Sequence, residues 1–564
     1  MKKLLKNRLA IIIVSVILVI ATGTGSLIYA AVADAQRTVK INTSSVIKED
    51  FAGIGINSLP FTLMSNNLDK GANEAYFELE KSRILNLKPA IVRLWTQVDW
   101  FVTENDLTNG TGADYYSGVY NFESERMQSV YKYLDTYKQI GSQLILAINW
   151  KVASTIQPWF SIDGINNPET SAPQDIDAFA KAHVELLKYL INVKGYTNIK
   201  YISVANEPDL MDFESHGDQY IYYQDTSKKL ADVISEASLD IELLGLESGA
   251  AYFTSQDFLF RSFKDNPDYF NEYAIHCYQG IKNATAYMRT VKNSLPTGKS
   301  IWLTEFNGNK FTNSSSGYMS IAANLGYNGA LYWMVNDVYG EDPLNLNDEN
   351  IGGSTGLWNK PKDNLNVKDS YYELSLWLRY VKPNSKVLES VVSNDEDMRS
   401  TVFFDGNDYT VIVENDTESA QTLTLNFDKN INKTFYKHIY VQEAAQPSAQ
   451  AKIPASVKEF NVSNKLEDTD VVNDSRTVTV YTTIPDVAQV ILENVSATVK
   501  SGESVKLNAT ATNGKTLTWS VVCGNGTVDQ NGNYTASETT AGDIVAVKAE
   551  TENGECAVAV ISIE

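Results

Sequence analysis

Eight short apolar runs, each passing into polar residues, recur between residues 51 and 380. They are FAGIGIN (51–57), AIVRLW (90–95), QLILAINW (143–150), KYISVANEP (200–208), IELLGLE (241–247), EYAIHCY (272–278), SIWLTEFN (300–307) and GALYWMVND (329–337). Each has the length and uniform apolarity of a strand buried on both faces. Helical patterns lie between them, such as AFAKAHVELLKYLINV (178–193). Strands alternating with helices require a parallel sheet with helical crossovers. Eight such units predict an α/β fold, a closed (β/α)8 TIM barrel over residues 51–380 with enlarged loops. A doubly wound sheet is the competing arrangement. It usually carries a Gly-rich phosphate turn after its first strand, whereas GIGIN runs into Ser58-Leu59-Pro60.

The chain has 564 residues, too many for one core, and its texture changes on both sides of the barrel. Residues 381–493 alternate apolar and polar positions, as in STVFFDGNDYTVIVEND, which predicts an antiparallel β-sandwich. RTVKINTSSV alternates in the same way, so residues 36–50 are expected to supply an N-terminal strand to that sandwich. Residues 494–564 show short strands and Gly-Asn turns and form a second, smaller sandwich. Residues 1–35 are not fold. Lys2, Lys3, Lys6 and Arg8 precede the apolar LAIIIVSVILVI (9–20), and Ala33-Asp34-Ala35 resembles a cleavage site. That is the pattern of a signal peptide, or of a membrane anchor where cleavage fails, and places the body of the protein outside the membrane, secreted or extracellular.

A formal net charge of −22 repels phosphate backbones, so no nucleic-acid partner is expected. The four histidines, at 183, 216, 276 and 438, lack metal-site spacing, and no metal is expected to carry the chemistry. Cys277 reads as a buried thiol. Cys523 and Cys556 share the last module, where export permits a disulfide between them.

Two glutamates stand at the polar ends of apolar runs, Glu207 after the fourth and Glu305 in the seventh. Carboxylates at strand ends on opposite sides of a barrel mouth suit hydrolysis of a glycosidic bond. One acid protonates the leaving oxygen, and the other carboxylate attacks the anomeric carbon. The Asn206-Glu207-Pro208 sequence with Glu305 resembles the clan A glycoside hydrolases, over about residues 50–380. Arg93 on the second strand, His276-Cys277-Tyr278 on the sixth and Trp333 on the eighth resemble residues of the same clan.

The resemblance implies roles. Glu207 is the expected acid/base and Glu305 the nucleophile. Asn206 is expected to bind a 2-hydroxyl, and Tyr278 to donate a hydrogen bond to Glu305. Arg93 is expected to lower the Glu305 pKa, and His276 to contact the acid/base or the sugar. Trp333 is the expected floor beneath the reacting sugar, with Asn149 and Trp150 as further sugar contacts. Trp95, Trp100, Trp159 and Trp358 read equally as loop packing or sugar platforms. Glu247 is placed at the cleft wall or in the core, and Asp209 reads as a helix cap.

A barrel with a sandwich that borrows an N-terminal strand resembles glycoside hydrolase families thirty and thirty-nine. The last module resembles a bacterial immunoglobulin-like domain, expected to contact a cell surface or polysaccharide. The expected activity is retaining hydrolysis of β-linked, xylan-like or glucan-like polysaccharide or oligosaccharide, with no cofactor. An exo-acting xylosidase or arabinofuranosidase, and a non-catalytic carbohydrate-binding or adhesion protein, are the competing expectations.

Overall fold

A computed structural model describes residues 35–101, 120–150, 172–173, 175–211, 217–249, 256–308, 314–339, 355–360, 364–393, 397–417, 421–442, 448–469, 476–538 and 541–564. The N-terminal basic and apolar segment, Trp159 and the centres of the longest loops lie outside the described residues.

The eight expected strands close into a parallel barrel. They are β2 (Gly53–Ser58), β3 (Ile91–Thr96), β4 (Gln143–Ile148), β5 (Ile199–Ser203), β6 (Glu242–Ser248), β7 (Glu272–His276), β8 (Ser300–Phe306) and β9 (Gly329–Tyr332). The preceding strand β1 (Ala35–Phe51) belongs to a different sheet. Helices pack outside the barrel: α1 (Ser65–Asp69), α2 (Glu74–Leu87), α3 (Glu125–Ile140), α4 (Ile176–Lys188), α5 (Gln219–Glu236), α6 (Gln256–Asp265), α7 (Ile281–Ser294), α8 (Ser315–Asn324) and α9 (Asp369–Tyr380). Their starts are written in the sequence. Asn73, Ser124, Asp175 and Asp218 each accept a hydrogen bond from the first turn of α2, α3, α4 and α5. His183 sits inside α4, buried, its Nδ1 on the Phe179 carbonyl. Burial lowers its pKa to about 4, as in a neutral core histidine.

Ile91, Ile145, Leu244, Ala274, Trp302 and Leu331 fill the barrel axis. Counting in twos along each strand from these residues predicts which later side chains face the mouth. On β3 the count reaches Arg93, and on β7 it reaches His276. On β6 and β8 it reaches Leu246 and Thr304, so Glu247 and Glu305 would point outward. The pairing corrects this. The β6–β7 register slips between Gly245 and Glu247, where Leu246 has φ +39°, and the β7–β8 register slips before the His276–Glu305 pair. Each bulge inserts one residue and turns the following glutamate inward.

The second sheet has nine strands. It uses β1, β10 (Ser385–Val392), β11 (Met398–Phe404), β12 (Tyr409–Asn415), β13 (Gln421–Phe427), β14 (Lys433–Val441), β15 (Lys458–Val462), β16 (Lys465–Asp468) and β17 (Thr477–Thr482), in the order β15-β14-β17-β12-β11-β10-β1-β13-β16. The two end strands, β15 and β16, are consecutive in sequence, so the sheet wraps over on itself. β1 lies between β10, antiparallel with Val39 opposite Val392, and β13, parallel with Val39 opposite Leu425. β1 ends at Phe51, and after Ala52 the chain enters the barrel at Gly53.

Sandwich and barrel share a core in which Val387, Phe403, Ile412 and Val480 join the barrel helices. Glu414 is buried at this seam. Arg399 Nη1 reaches Glu414 at 3.0 Å and Asp416 at 2.9 Å. Burial and the neighbouring Asp416 push the Glu414 carboxyl up to about 8, against the pull of Arg399. In the unfolded chain it titrates near 4.3. A carboxyl raised on folding contributes stability that is complete below the unfolded value and lost as pH rises through the folded one. Native stability should therefore fall between about pH 5 and pH 8. The neutral Glu414→Gln variant should match the parent's melting temperature at pH 5 and exceed it by a few degrees at pH 8.5. Superimposable melting curves at both pH values would show that Glu414 is already ionised at the seam.

The last module contains a four-stranded sheet in the order Ser496–Val499, Cys556–Ile563, Ile544–Thr551, Leu517–Cys523. Its core closes over Ala75 and Leu79 of α2, and Asn86 Nδ2 donates to the Cys556 carbonyl at 3.1 Å. The module is thus docked on the barrel. The Cys523–Cys556 disulfide that the sequence left open is not formed. Both thiols are free, and the strand Ile544–Thr551 runs between theirs. Two strand spacings are about 10 Å, beyond the reach of a disulfide.

Candidate active site

Arg93 organises the barrel mouth. It is fully buried and uses all five guanidinium N–H groups. Nε donates to Glu247 Oε1 at 2.7 Å and Nη2 to Glu247 Oε2 at 2.5 Å. The second Nη2 proton goes to Asn206 Oδ1 at 2.6 Å. Nη1 donates to Glu305 Oε1 at 2.7 Å and to Asn57 Oδ1 at 2.8 Å. Five barrel strands or their ends, β2, β3, β5, β6 and β8, therefore meet at one side chain.

Glu305 is held on its other side by Tyr278, whose hydroxyl donates to Oε2 at 2.6 Å. Complete burial raises its pKa, as does the Glu207 charge, while His276, Arg93 and Tyr278 pull it down. The net direction is upward. Arg93 pulls this carboxyl down, as expected, but desolvation of the site outweighs the guanidinium.

Glu207 lies four residues beyond β5 in the left-handed region, φ +46° and ψ +52°. A non-glycine residue there costs about 1–2 kcal/mol and must be held. Its N–H donates to the Glu247 carbonyl at 3.0 Å, and its carbonyl accepts from Leu210 N at 2.9 Å. The backbone turn carries its carboxylate to His276, whose Nδ1 lies 2.8 Å from Oε1. The same nitrogen is 3.4 Å from Glu305 Oε2. Burial lowers the His276 pKa, but Glu305 and the hydrogen bond to Glu207 carry it above its ordinary value. The Glu207 side chain is 21% exposed and that of Glu305 5%, so solvent and ligand reach Glu207 more readily. One oxygen from each carboxylate and a ring nitrogen of His276 lie within 4.8 Å of one another. Such a trio has the donors for a metal ion. Arg93 and Tyr278 already occupy both Glu305 oxygens, and the guanidinium disfavours a second cation there.

Asn206 is nearly buried, and the Arg93 bond turns its Nδ2 away from the guanidinium. Asn149 sits beside it at the end of β4, its N–H on the Thr96 carbonyl. Trp333 follows β9 and packs on Trp95, ring centroids 5.4 Å apart, while the Arg93 guanidinium lies 5.5 Å from the Trp95 ring. Trp150 is placed differently from the expectation. It is fully buried against Phe179 and Tyr223, the surroundings of a core indole rather than of a sugar platform. Trp100 is likewise buried, against Phe61.

Three further residues complete the mouth: Glu247, left open in the sequence between cleft wall and core, Asn57, which the sequence reading missed, and Asp209, read there as a helix cap. Glu247 is a buried bidentate partner of Arg93 that also accepts from Ser203 Oγ at 2.9 Å. Asn57 orients Arg93 while donating to the Thr304 carbonyl at 2.8 Å. A polar residue at the end of the apolar GIGIN run was the available signal. Asp209 does not cap a helix; its side chain crosses to the end of β6.

Residues 174–336 match a family model described as the glycosyl hydrolase catalytic core. In structure the chain is similar to a GH30 endoxylanase from Clostridium papyrosolvens, with TM-score 0.52, 15% identity and coverage of 79% of this chain and 99% of that one. It is similar to the catalytic domain of GH30 xylanase C from Talaromyces cellulolyticus, with TM-score 0.53, 13% identity and coverage of 79% and 100%. A GH39 β-xylosidase from Caulobacter crescentus gives TM-score 0.51, 13% identity and coverage of 79% and 99%. At these identities the likeness is one of fold. No curated protein matches the chain.

Proposed function

We propose that this chain, a TIM-barrel glycoside hydrolase, cleaves β-glycosidic bonds of xylan-like or glucan-like chains with retention of anomeric configuration. The observation that carries the reading is the 4.8 Å limit on the oxygens of Glu207 and Glu305. Retaining enzymes hold their two carboxyl groups about 5–5.5 Å apart, and inverting enzymes leave room for a water at about 6.5–9.5 Å.

Glu305 acts as the nucleophile. Arg93 and Tyr278 donate one hydrogen bond to each of its oxygens, an arrangement that favours the carboxylate form. Glu207, more exposed, acts as acid and then base. In the first step a Glu305 oxygen bonds to the anomeric carbon. The bond to the leaving oxygen breaks, and that oxygen takes the Glu207 proton. In the second step Glu207 takes a proton from water, the water oxygen bonds to the anomeric carbon, and Glu305 leaves as carboxylate. Asn206, with Oδ1 fixed by Arg93, is oriented to donate from Nδ2 to a sugar hydroxyl near the reacting carbon. Trp333 and Trp95 supply apolar faces for the ring.

The xylan-like choice draws on the endoxylanase and xylosidase among the similar folds. Export belongs to the proposal too and rests on the basic and apolar N-terminal segment. Among the described residues no helix is long and apolar enough to cross a membrane.

The test is proton NMR of the first product from a polysaccharide panel and from aryl β-xylosides. A β-anomer released first supports the proposal, and an α-anomer released first rejects retention. Short oligosaccharides from intact polymer indicate endo action, whereas monosaccharide alone assigns the exo-xylosidase alternative.

A further inference from the structure

We infer that Asp209 is a positioning residue for Glu207, clamping its backbone and holding a negative charge behind it that delays loss of its proton. This rests on Glu207 being the acid/base. The segment 206–210 is stitched to the end of β6 by consecutive links. Asn206 bridges to Glu247, and Glu207 N–H donates to the Glu247 carbonyl at 3.0 Å. Asp209 then accepts twice, from Ser248 Oγ at 2.5 Å and from Gly249 N–H at 3.0 Å. These bonds hold the left-handed turn that aims Glu207 into the mouth, a conformation that persists only where its surroundings determine it.

Gly249 fixes the spacing. A methyl group built on it would lie 3.0 Å from Glu207 Oε1 and 2.4 Å from Leu210 Cδ1. Its backbone thus fills the space beside the Glu207 carboxylate while its N–H binds Asp209. Gly249 therefore packs beside one carboxylate and donates to the other.

The charges around the pair oppose one another. His276 faces Glu207 from β7 and favours its ionised form. Glu305, from β8, favours the protonated form, and Arg93 is shared between Glu305 and Glu247. Tyr278 is spent on Glu305. On the far side, Asp209 interacts with the buried Tyr287 hydroxyl of α7, itself near Cys277. Burial pushes Asp209 up to about 6, against the pull of the Ser248 and Gly249 bonds, with Glu207 adding to the rise. Above that pH Asp209 carries a negative charge near Glu207 that persists when Glu305 becomes a neutral ester.

The Asp209→Asn variant separates charge from geometry. Asparagine accepts from Gly249 N–H through Oδ1 and donates to Ser248 Oγ through Nδ2, so the clamp remains. The pH profile of kcat/KM on an aryl glycoside with a poor leaving group is the readout. The alkaline limb, where Glu207 loses its proton, should move about one pH unit lower, with KM near the parent's. Asp209→Ser, smaller and also neutral, must move the limb the same way, and it decides the matter if the asparagine variant does not fold. Profiles that superimpose on the parent's overturn the inference. Glu207→Ala, measured alongside, isolates the underlying reading. If that variant keeps full turnover on poor leaving groups, Glu207 is not the acid/base, whatever Asp209 does.

Discussion

Turnover by the Glu305→Ala variant should fall by on the order of 10⁵-fold on every substrate, with good or poor leaving groups alike. Nothing else described at the barrel mouth can form the covalent intermediate. Tyr278 and Arg93 are committed as donors, Glu247 has both oxygens on Arg93, and Glu207 approaches from the His276 side. Glu207→Ala should behave differently. Its loss should reach about 10²- to 10⁴-fold on poor leaving groups and be slight for the first step on activated aryl glycosides. Azide, small enough to enter the vacated space, should restore turnover and yield a glycosyl azide of retained configuration. Steady-state and burst kinetics on both variants check this. Equal losses across leaving groups for Glu207→Ala, or residual activity above one part in a hundred for Glu305→Ala, would reverse or reject the assignment.

The second large effect belongs to Arg93→Lys. Lysine keeps the charge but presents three donors from one atom, where the site uses five from a planar fork. Glu247 would lose a bidentate partner while remaining buried, and a buried carboxylate stripped of its partner costs about 3–5 kcal/mol. Glu305 and Asn206 would lose orientation at the same time. The expected result is a drop of about 10³-fold in kcat/KM together with a lower urea midpoint. Activity within tenfold of the parent at an unchanged midpoint would show that Arg93 only neutralises charge.

The pair Glu207 and Glu305 was legible because buried strands leave a plain record in sequence, apolar runs that end in polar residues. Side-chain direction left no such record. A residue count along SIWLTEF directs Thr304, not Glu305, into the mouth, and only the bulge between β7 and β8 reverses it. Leu246 conceals Glu247 in the same way on β6. Bulges depend on pairing with a neighbouring strand, which a linear pattern does not contain. Trp150 shows the opposite error. Adjacency to Asn149 at a strand end suggested a sugar contact, but the ring's direction is set by Phe179 on α4 and Tyr223 on α5. Asp209 followed the rule for helix starts, and the end of β6 competed successfully for its oxygens. Local propensity specified the elements, and contacts distant in sequence decided where the functional groups point.

The strand β1 has a consequence for the order in which the molecule is made. Thr38 N–H is bonded to Ser393 Oγ, 355 residues away, and β13 on its other side comes later still. Synthesis at about 5–20 residues per second leaves this strand without either neighbour for tens of seconds after it emerges. During that interval Lys40, Lys48, Glu49 and Asp50 keep it soluble and discourage pairing with other chains. The chain is thereby kept from closing its second sheet until the strands between residues 385 and 482 have been synthesised. Final closure then joins the beginning of the polypeptide to its last third, and the barrel entry at Gly53 is anchored in the same event.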